Sequence, residues 1–129
     1  MRLGYTILYV ENVALSVGFY EQAFALERKF VHESGDFAEM NTGQTALAFS
    51  SRRLMVELGK NPQKADAAAP CFEIALVTDD VPTALKRAIA AGARLVQSPQ
   101  DMPWGQTVAY VADPDGFLVE LCTPVGAQP

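Results

Sequence analysis

Histidine is almost absent from this chain: His32 is the only one in 129 residues, beside two cysteines and one tryptophan. A 2-His-1-carboxylate iron centre needs two imidazoles, and a structural zinc site needs several Cys or His ligands. One chain with this inventory builds neither. Cys71 and Cys122 lie far apart without CxxC spacing and read as reduced core residues. Basic residues are also scarce, with 10 Lys and Arg against 15 Asp and Glu, a net charge of −5 and a pI near 4.7. The pair Arg52-Arg53 is the nearest thing to a basic patch, so a nucleic-acid groove is excluded. An acidic protein attracts cationic ligands instead. No apolar run approaches the roughly 18 residues of a membrane span, and Met1–Tyr5 does not open a secretory signal, so a cytoplasmic protein without a membrane partner is expected. Gly-rich phosphate loops and Ser-His-Asp arrangements are missing too.

What is present is a well-supplied core, at 50% apolar and 19% charged residues, enough for one domain and too little for two independent ones. YTILYV, from Tyr5 to Val10, alternates as a strand, and Asn12 then caps a helix over about 13–25. Leu15, Phe19 and Ala23 recur at i, i+4, i+8 as its apolar stripe. Strands follow over 28–33 and 37–41, joined through Ser34-Gly35, and over 45–50 after the Thr42-Gly43 turn. The polar, proline-containing stretch 59–70 reads as a linker.

After the linker the pattern restarts. A strand over 72–78 leads to the Asp79-Asp80 cap and a helix over 81–91, with Pro82 in its first turn and Gly92 at its stop. Strands over 94–97, 106–112 and 117–122 complete the second half, the last two joined by the Asp113-Pro114-Asp115-Gly116 turn. With an offset of 68 residues, Tyr5 falls on Glu73, Leu8 on Leu76, Asn12 on Asp80 and Val13 on Val81. An internal repeat of this length makes the expected fold α+β, two tandem βαβββ modules (about 3–58 and 71–124) forming one cup-shaped, mostly antiparallel sheet within a single domain over 1–129.

Phe19-Tyr20 in the first helix, the restart FEIALVTDDV (Phe72–Val81) and the terminal block WGQTVAYVADPDGFLVELCTP (Trp104–Pro124) carry a resemblance. Through them the chain resembles the glyoxalase/bleomycin-resistance/dioxygenase, or vicinal-oxygen-chelate, superfamily. The resemblance implies a cup around a small-molecule site, commonly in a homodimer. It also implies a divalent metal held by side chains from four strands, at positions where this chain has Tyr5, Glu73, Glu120 and a residue near Ala46 or Ala48. Two carboxylates, a phenol and a methyl group depart from that pattern. An extradiol dioxygenase is thereby excluded within one chain, and a His/Glu/Gln isomerase site is not reproduced. Glu73 and Glu120 alone would suit a hard, oxygen-seeking cation such as Mg²⁺ or Mn²⁺ completed by water and substrate, with Ni²⁺ and Zn²⁺ the other divalent metals the resemblance leaves open.

Glu73 and Glu120 stand in otherwise apolar strands, where an isolated carboxylate is costly to bury, and are the candidate catalytic pair. The alternative for both is a rim position in water. Tyr5, Tyr9 and Tyr110 are candidate cavity walls or ordinary strand packing. His32 and Glu39 flank the first hairpin, as ligand contacts or as solvated residues. Trp104, between Pro103 and Gly105, is either a lid or a core residue. Two functions compete: a metal-free protein that sequesters a small planar or cationic compound, as drug-resistance members do, and a lyase or isomerase acting on a carbonyl or thiol-adduct substrate. A partner-binding dimer with a vestigial cup is the third.

Overall fold

The computed structural model describes residues 1–126. It divides into two compact units, Met1–Lys64 and Ala65–Pro129. Unit 1 contains β1 (Tyr5–Val10), α1 (Val13–Phe24), β2 (Glu27–Val31), β3 (Phe37–Asn41), β4 (Ala46–Ser51) and α2 (Arg52–Glu57). Unit 2 contains β5 (Ile74–Val77), α3 (Val81–Ala90), β6 (Arg94–Asp101), β7 (Thr107–Ala112) and β8 (Leu118–Cys122). Each holds a four-stranded mixed sheet, ordered β1-β4-β3-β2 and β5-β8-β7-β6. In both, the first strand runs parallel to the last and the other pairs are antiparallel.

The repeat is visible at its caps. The Asn12 side chain accepts from the Leu15 amide at 3.0 Å, and Asp80 accepts from the Thr83 amide at 3.1 Å. Each satisfies a helix-start donor that has no partner inside the helix. α1 lies on the face formed by Leu8, Ala38, Met40 and Phe49, all fully buried, with Tyr20 stacked 5.1 Å from Phe49. Arg28, opposite Met40, marks the same face through its 2.8 Å ion pair with Glu21 of α1.

Three expectations need correction. Leu15 is 72% exposed. It lies two residues, roughly 200° around the helix, from both Val13 and Val17, which are buried, so the apolar stripe runs through Val13, Val17 and Tyr20. Cys71 is exposed because it precedes β5, outside the sheet, while Cys122 is buried as expected. Helix α2 was not anticipated, although Ser51 caps it by accepting from Leu54 at 3.0 Å and the run RRLMVE suits a helix. In addition β6 continues four residues beyond 97, to Asp101, through register irregularities.

The β7–β8 turn carries the strictest local demand. Asp113 accepts from the amides of Asp115 and Phe117 at 2.9 and 2.8 Å, and Gly116 has φ +93°. A Cβ on Gly116 would stand 2.3 Å from the Ala65 carbonyl oxygen. Gly43, at φ +94°, has open space instead. In denaturant titrations Gly43→Ala is expected to cost about 1–2 kcal/mol of backbone strain, and Gly116→Ala distinctly more because the clash adds to it. Equal losses would show that the Ala65 contact is immaterial.

Candidate functional site

The second sheet has two faces with different tasks. Ile74, Leu76, Val119 and Leu121 point to the side that α3 covers, since α3 packs on β6, β7 and β8. The alternate residues point the other way. Ala75 pairs with Glu120, Val77 with Cys122 and Tyr110 with Glu120, so Glu120, Tyr110 and Cys122 share the face away from the helix, while Glu73, expected inside a strand over 72–78, stands exposed one residue before β5.

Glu120 is the hub of this group. The Tyr110 hydroxyl donates to its Oε1 at 3.2 Å, Glu73 is close enough to feel its charge, and the Cys122 thiol faces the Leu76 carbonyl at 3.8 Å. Partial burial, then the charge of Glu120 and the hydrogen bond to it, raise the Glu73 pKa above the ordinary carboxylate value. Residue Glu73 is nonetheless largely open to water, which moderates the effect. Burial followed by the two carboxylates pushes the Tyr110 phenol up to about 12. Burial and Glu120 also raise the Cys122 thiol, which makes it a poor nucleophile at neutral pH. No ion pair involving Glu73 or Glu120 is seen among the described residues, and the donor that Glu120 meets is the Tyr110 hydroxyl.

The register settles which residue of unit 1 stands where Glu120 stands in unit 2. Ile7 pairs with Ala48 as Ala75 pairs with Glu120, and Ile7 and Ala75 are related by the 68-residue offset. Ala48 is therefore the equivalent of Glu120, and Glu39, paired with Ala48, the equivalent of Tyr110. The trio Glu73, Glu120 and Tyr110 in one unit becomes Tyr5, Ala48 and Glu39 in the other. Among the described residues no group of three His, Cys, Asp or Glu side chains gathers as a metal set. Tyr5, Ala48, Glu73 and Glu120, the positions where the resemblance implies metal ligands, offer a phenol, a methyl group and two carboxylates. These donors do not fit a resident four-ligand metal.

The other candidates are placed as follows. Tyr5 is exposed, and Tyr9 lies under the Lys60 ammonium, 5.5 Å from its ring centroid. His32 is exposed in the β2–β3 turn, where its Nδ1 meets the Ser34 hydroxyl at 2.8 Å and accepts from the Ser34 amide. That engagement is local to the hairpin. Trp104 is exposed, with its indole donating to Gln106 at 2.7 Å. Glu39 is buried, 3.9 Å from Lys29. Sequence reasoning did not single out Cys122 for this site, although its i+2 spacing from Glu120 was the available signal. A cavity of about 400 Å³ near the start of α3 is lined by Asp79, Asp80, Asp101, Thr107 and Thr123 among others. Asp80 and Asp101 are occupied there, as helix cap and as acceptor from Thr107.

Residues 2–121 match the family model described as Glyoxalase/Bleomycin resistance protein/Dioxygenase superfamily, and the chain belongs to that family. It is 30% identical over 129 residues to a lactoylglutathione lyase of Neisseria meningitidis serogroup A, covering 94% of this chain and 89% of that one. Among solved structures, it resembles a glyoxalase-related enzyme from Fulvimarina pelagi with a TM-score of 0.82 at 22% identity, covering 98% and 94% of the two chains. A family enzyme from Burkholderia phytofirmans matches at TM-score 0.81 and 19% identity, over 95% and 98% of the chains. At these identities the structural likeness speaks for the fold. No helix among the described residues is long and apolar enough to cross a membrane.

Ultraviolet titration reads this site directly. The difference between the wild type and Tyr110→Phe should show a phenol ionising near about 12, and Glu120→Gln should lower it only part of the way, because burial, the larger cause, remains. The contribution of this phenol to stability is fully present below about 10 and is lost as pH rises toward about 12, because the folded state holds the proton more tightly. For Glu73 the sign is the same in a lower window, from the ordinary value of 4.5 upward. A Tyr110 that titrates at 10 in the wild type would contradict the cluster.

Proposed function

We propose that the protein binds a small organic cation, planar or compact, with the Glu73–Glu120 pair as anchor and Tyr110 as a neutral, hydrogen-bonding wall. The observation that carries the reading is the pair itself: two carboxylates near enough for the charge of one to act on the other, with no Lys or Arg ion-paired to either among the described residues. Bringing two like charges together costs free energy, and a bound cation offsets that cost. The acidic balance of the chain favours the same partner. This is metal-independent sequestration, and a homodimer inside the cytoplasm is the assembly and location that go with it.

The test is calorimetric binding of 9-aminoacridine, a planar cation, against acridine, its largely uncharged relative at neutral pH. The cation should bind and lose roughly tenfold or more in affinity in Glu120→Gln, as expected when a charge-assisted hydrogen bond is removed. Equal binding of both compounds, or no effect of the substitution, overturns the reading.

The relatives named lactoylglutathione lyase favour a second reading. In it Glu73 or Glu120 removes a proton beside the carbonyl of a thiol adduct, and Tyr110 donates a hydrogen bond to the substrate oxygen. Turnover of the methylglyoxal–glutathione adduct should then follow an ionisation above the ordinary carboxylate range and collapse in both Glu73→Gln and Glu120→Gln. Absence of turnover, with and without added Mn²⁺, Ni²⁺ or Zn²⁺, removes this reading and leaves sequestration.

A further inference from the structure

Glu73 lies outside the paired residues of β5, whose ladder with β8 begins at Ile74 opposite Val119. Something other than strand pairing therefore has to hold its carboxylate near Glu120. In unit 1 the same approach is closed by backbone. There the Ala46 amide donates to the Gly4 carbonyl at 2.9 Å and secures the residue before Tyr5, the equivalent of Glu73. The equivalents of that couple in unit 2 are Leu118 and Phe72, and among the described residues no hydrogen bond joins them.

Side chains take over where that bond is missing. Continuing the register of Ile74 with Val119 back by two residues sets Phe72 opposite Phe117, and their rings do meet, with centroids 6.1 Å apart at 70°. Edge-to-face packing is a favoured geometry for an aromatic pair. The contact places Phe72 and Phe117 on the side of Ile74 and Val119, so strand alternation turns Glu73, between Phe72 and Ile74, to the side of Glu120. Phe117 is buried and anchored, since its amide donates to the Asp113 side chain at 2.8 Å and its carbonyl accepts from the Asp113 amide at 3.0 Å. Phe72 is 45% exposed and contributes little to the core. The segment leading to it rests on the same turn, through the Ala65 carbonyl that occupies the space a Cβ on Gly116 would need.

We infer that Phe72 is a positioning residue for the carboxylate pair: its ring, seated on Phe117, fixes the course of the chain into β5 and so holds Glu73 beside Glu120. This rests on the reading of the pair as the ligand anchor, and adds the device that assembles it. Two carboxylates repel each other, and a residue just ahead of a strand is free to swing into water. The ring contact opposes that escape without a charge of its own, which leaves the negative charge of the pair for the ligand.

The test is the carboxyl titration of Glu73 by carbon-detected NMR in the free wild type, Phe72→Ala and Phe72→Tyr. Glu73 should titrate above the ordinary value of 4.5 in the wild type and return toward it in Phe72→Ala, as the carboxylate withdraws from Glu120 into solvent. Phe72→Tyr keeps the ring and should restore the rise. The Tyr110 phenol is the control. Burial and Glu120, the two largest causes of its rise, remain in Phe72→Ala, so it should still ionise near about 12. Affinity for 9-aminoacridine should fall several-fold in Phe72→Ala and recover in Phe72→Tyr. An unchanged Glu73 or an undiminished affinity in Phe72→Ala overturns the inference. So does a Tyr110 that falls to 10 along with Glu73, since the ring would then merely support the sheet. A wild-type Glu73 titrating at 4.5 overturns it too, with nothing left to position. The titration is read without ligand, so failure of the acridine cation to bind the wild type would remove the sequestration reading and leave the positioning of Glu73 standing.

Discussion

The parallel pairing of β5 with β8 is the constraint on which the site depends. It sets Ala75 opposite Glu120 and so brings Glu73, one pleat earlier, to the same carboxylate. β7 closes the other side by setting Tyr110 opposite Glu120. A slip of one residue in either pair would turn these side chains toward α3, into the core, where an unpaired carboxylate could not be tolerated. Burial of Val119 and Leu121 on the helix side therefore also holds the carboxylates on the other.

The same topology in unit 1 holds different chemistry. Its β1–β4 pairing has the same polarity and places Ile7 opposite Ala48, yet the carboxylate lies one strand over, at Glu39. Duplication has preserved the backbone arrangement, down to the Asn12 and Asp80 caps, while the residues on the open faces have diverged. The metal ligands that the resemblance implies stand at matched positions of both repeats. Here one repeat contributes a methyl group at such a position, and family membership alone therefore carries less information about activity than about fold.

Much of the architecture was legible in the sequence because its signals are local. Helix caps, the DPDG turn and the alternation of β1 all depend on neighbouring residues, and a repeat needs only comparison of the chain with itself. The orientation of Leu15 was not legible, since its i, i+4, i+8 partners are apolar whichever side the helix presents, and only packing decides. Helix α2 was missed because Arg52-Arg53 looked like a charged surface patch, although Ser51 stood ready as its cap. The side on which Glu73, Glu120 and Cys122 fall follows from strand alternation. That Tyr110 is the residue which meets Glu120 does not, because cross-strand register is a long-range property. The choice between Ala46 and Ala48 awaited the same information.

The central claim is that Glu73 and Glu120 stand near one another and bind a cation there. Carbon-detected NMR of the labelled Glu73 carboxyl, titrated with and without saturating 9-aminoacridine, tests it most directly. Free protein should show Glu73 titrating above the ordinary carboxylate value of 4.5, and the bound cation should draw it down. A Glu73 that titrates at the ordinary value, and does so unchanged with the cation bound, would contradict the account.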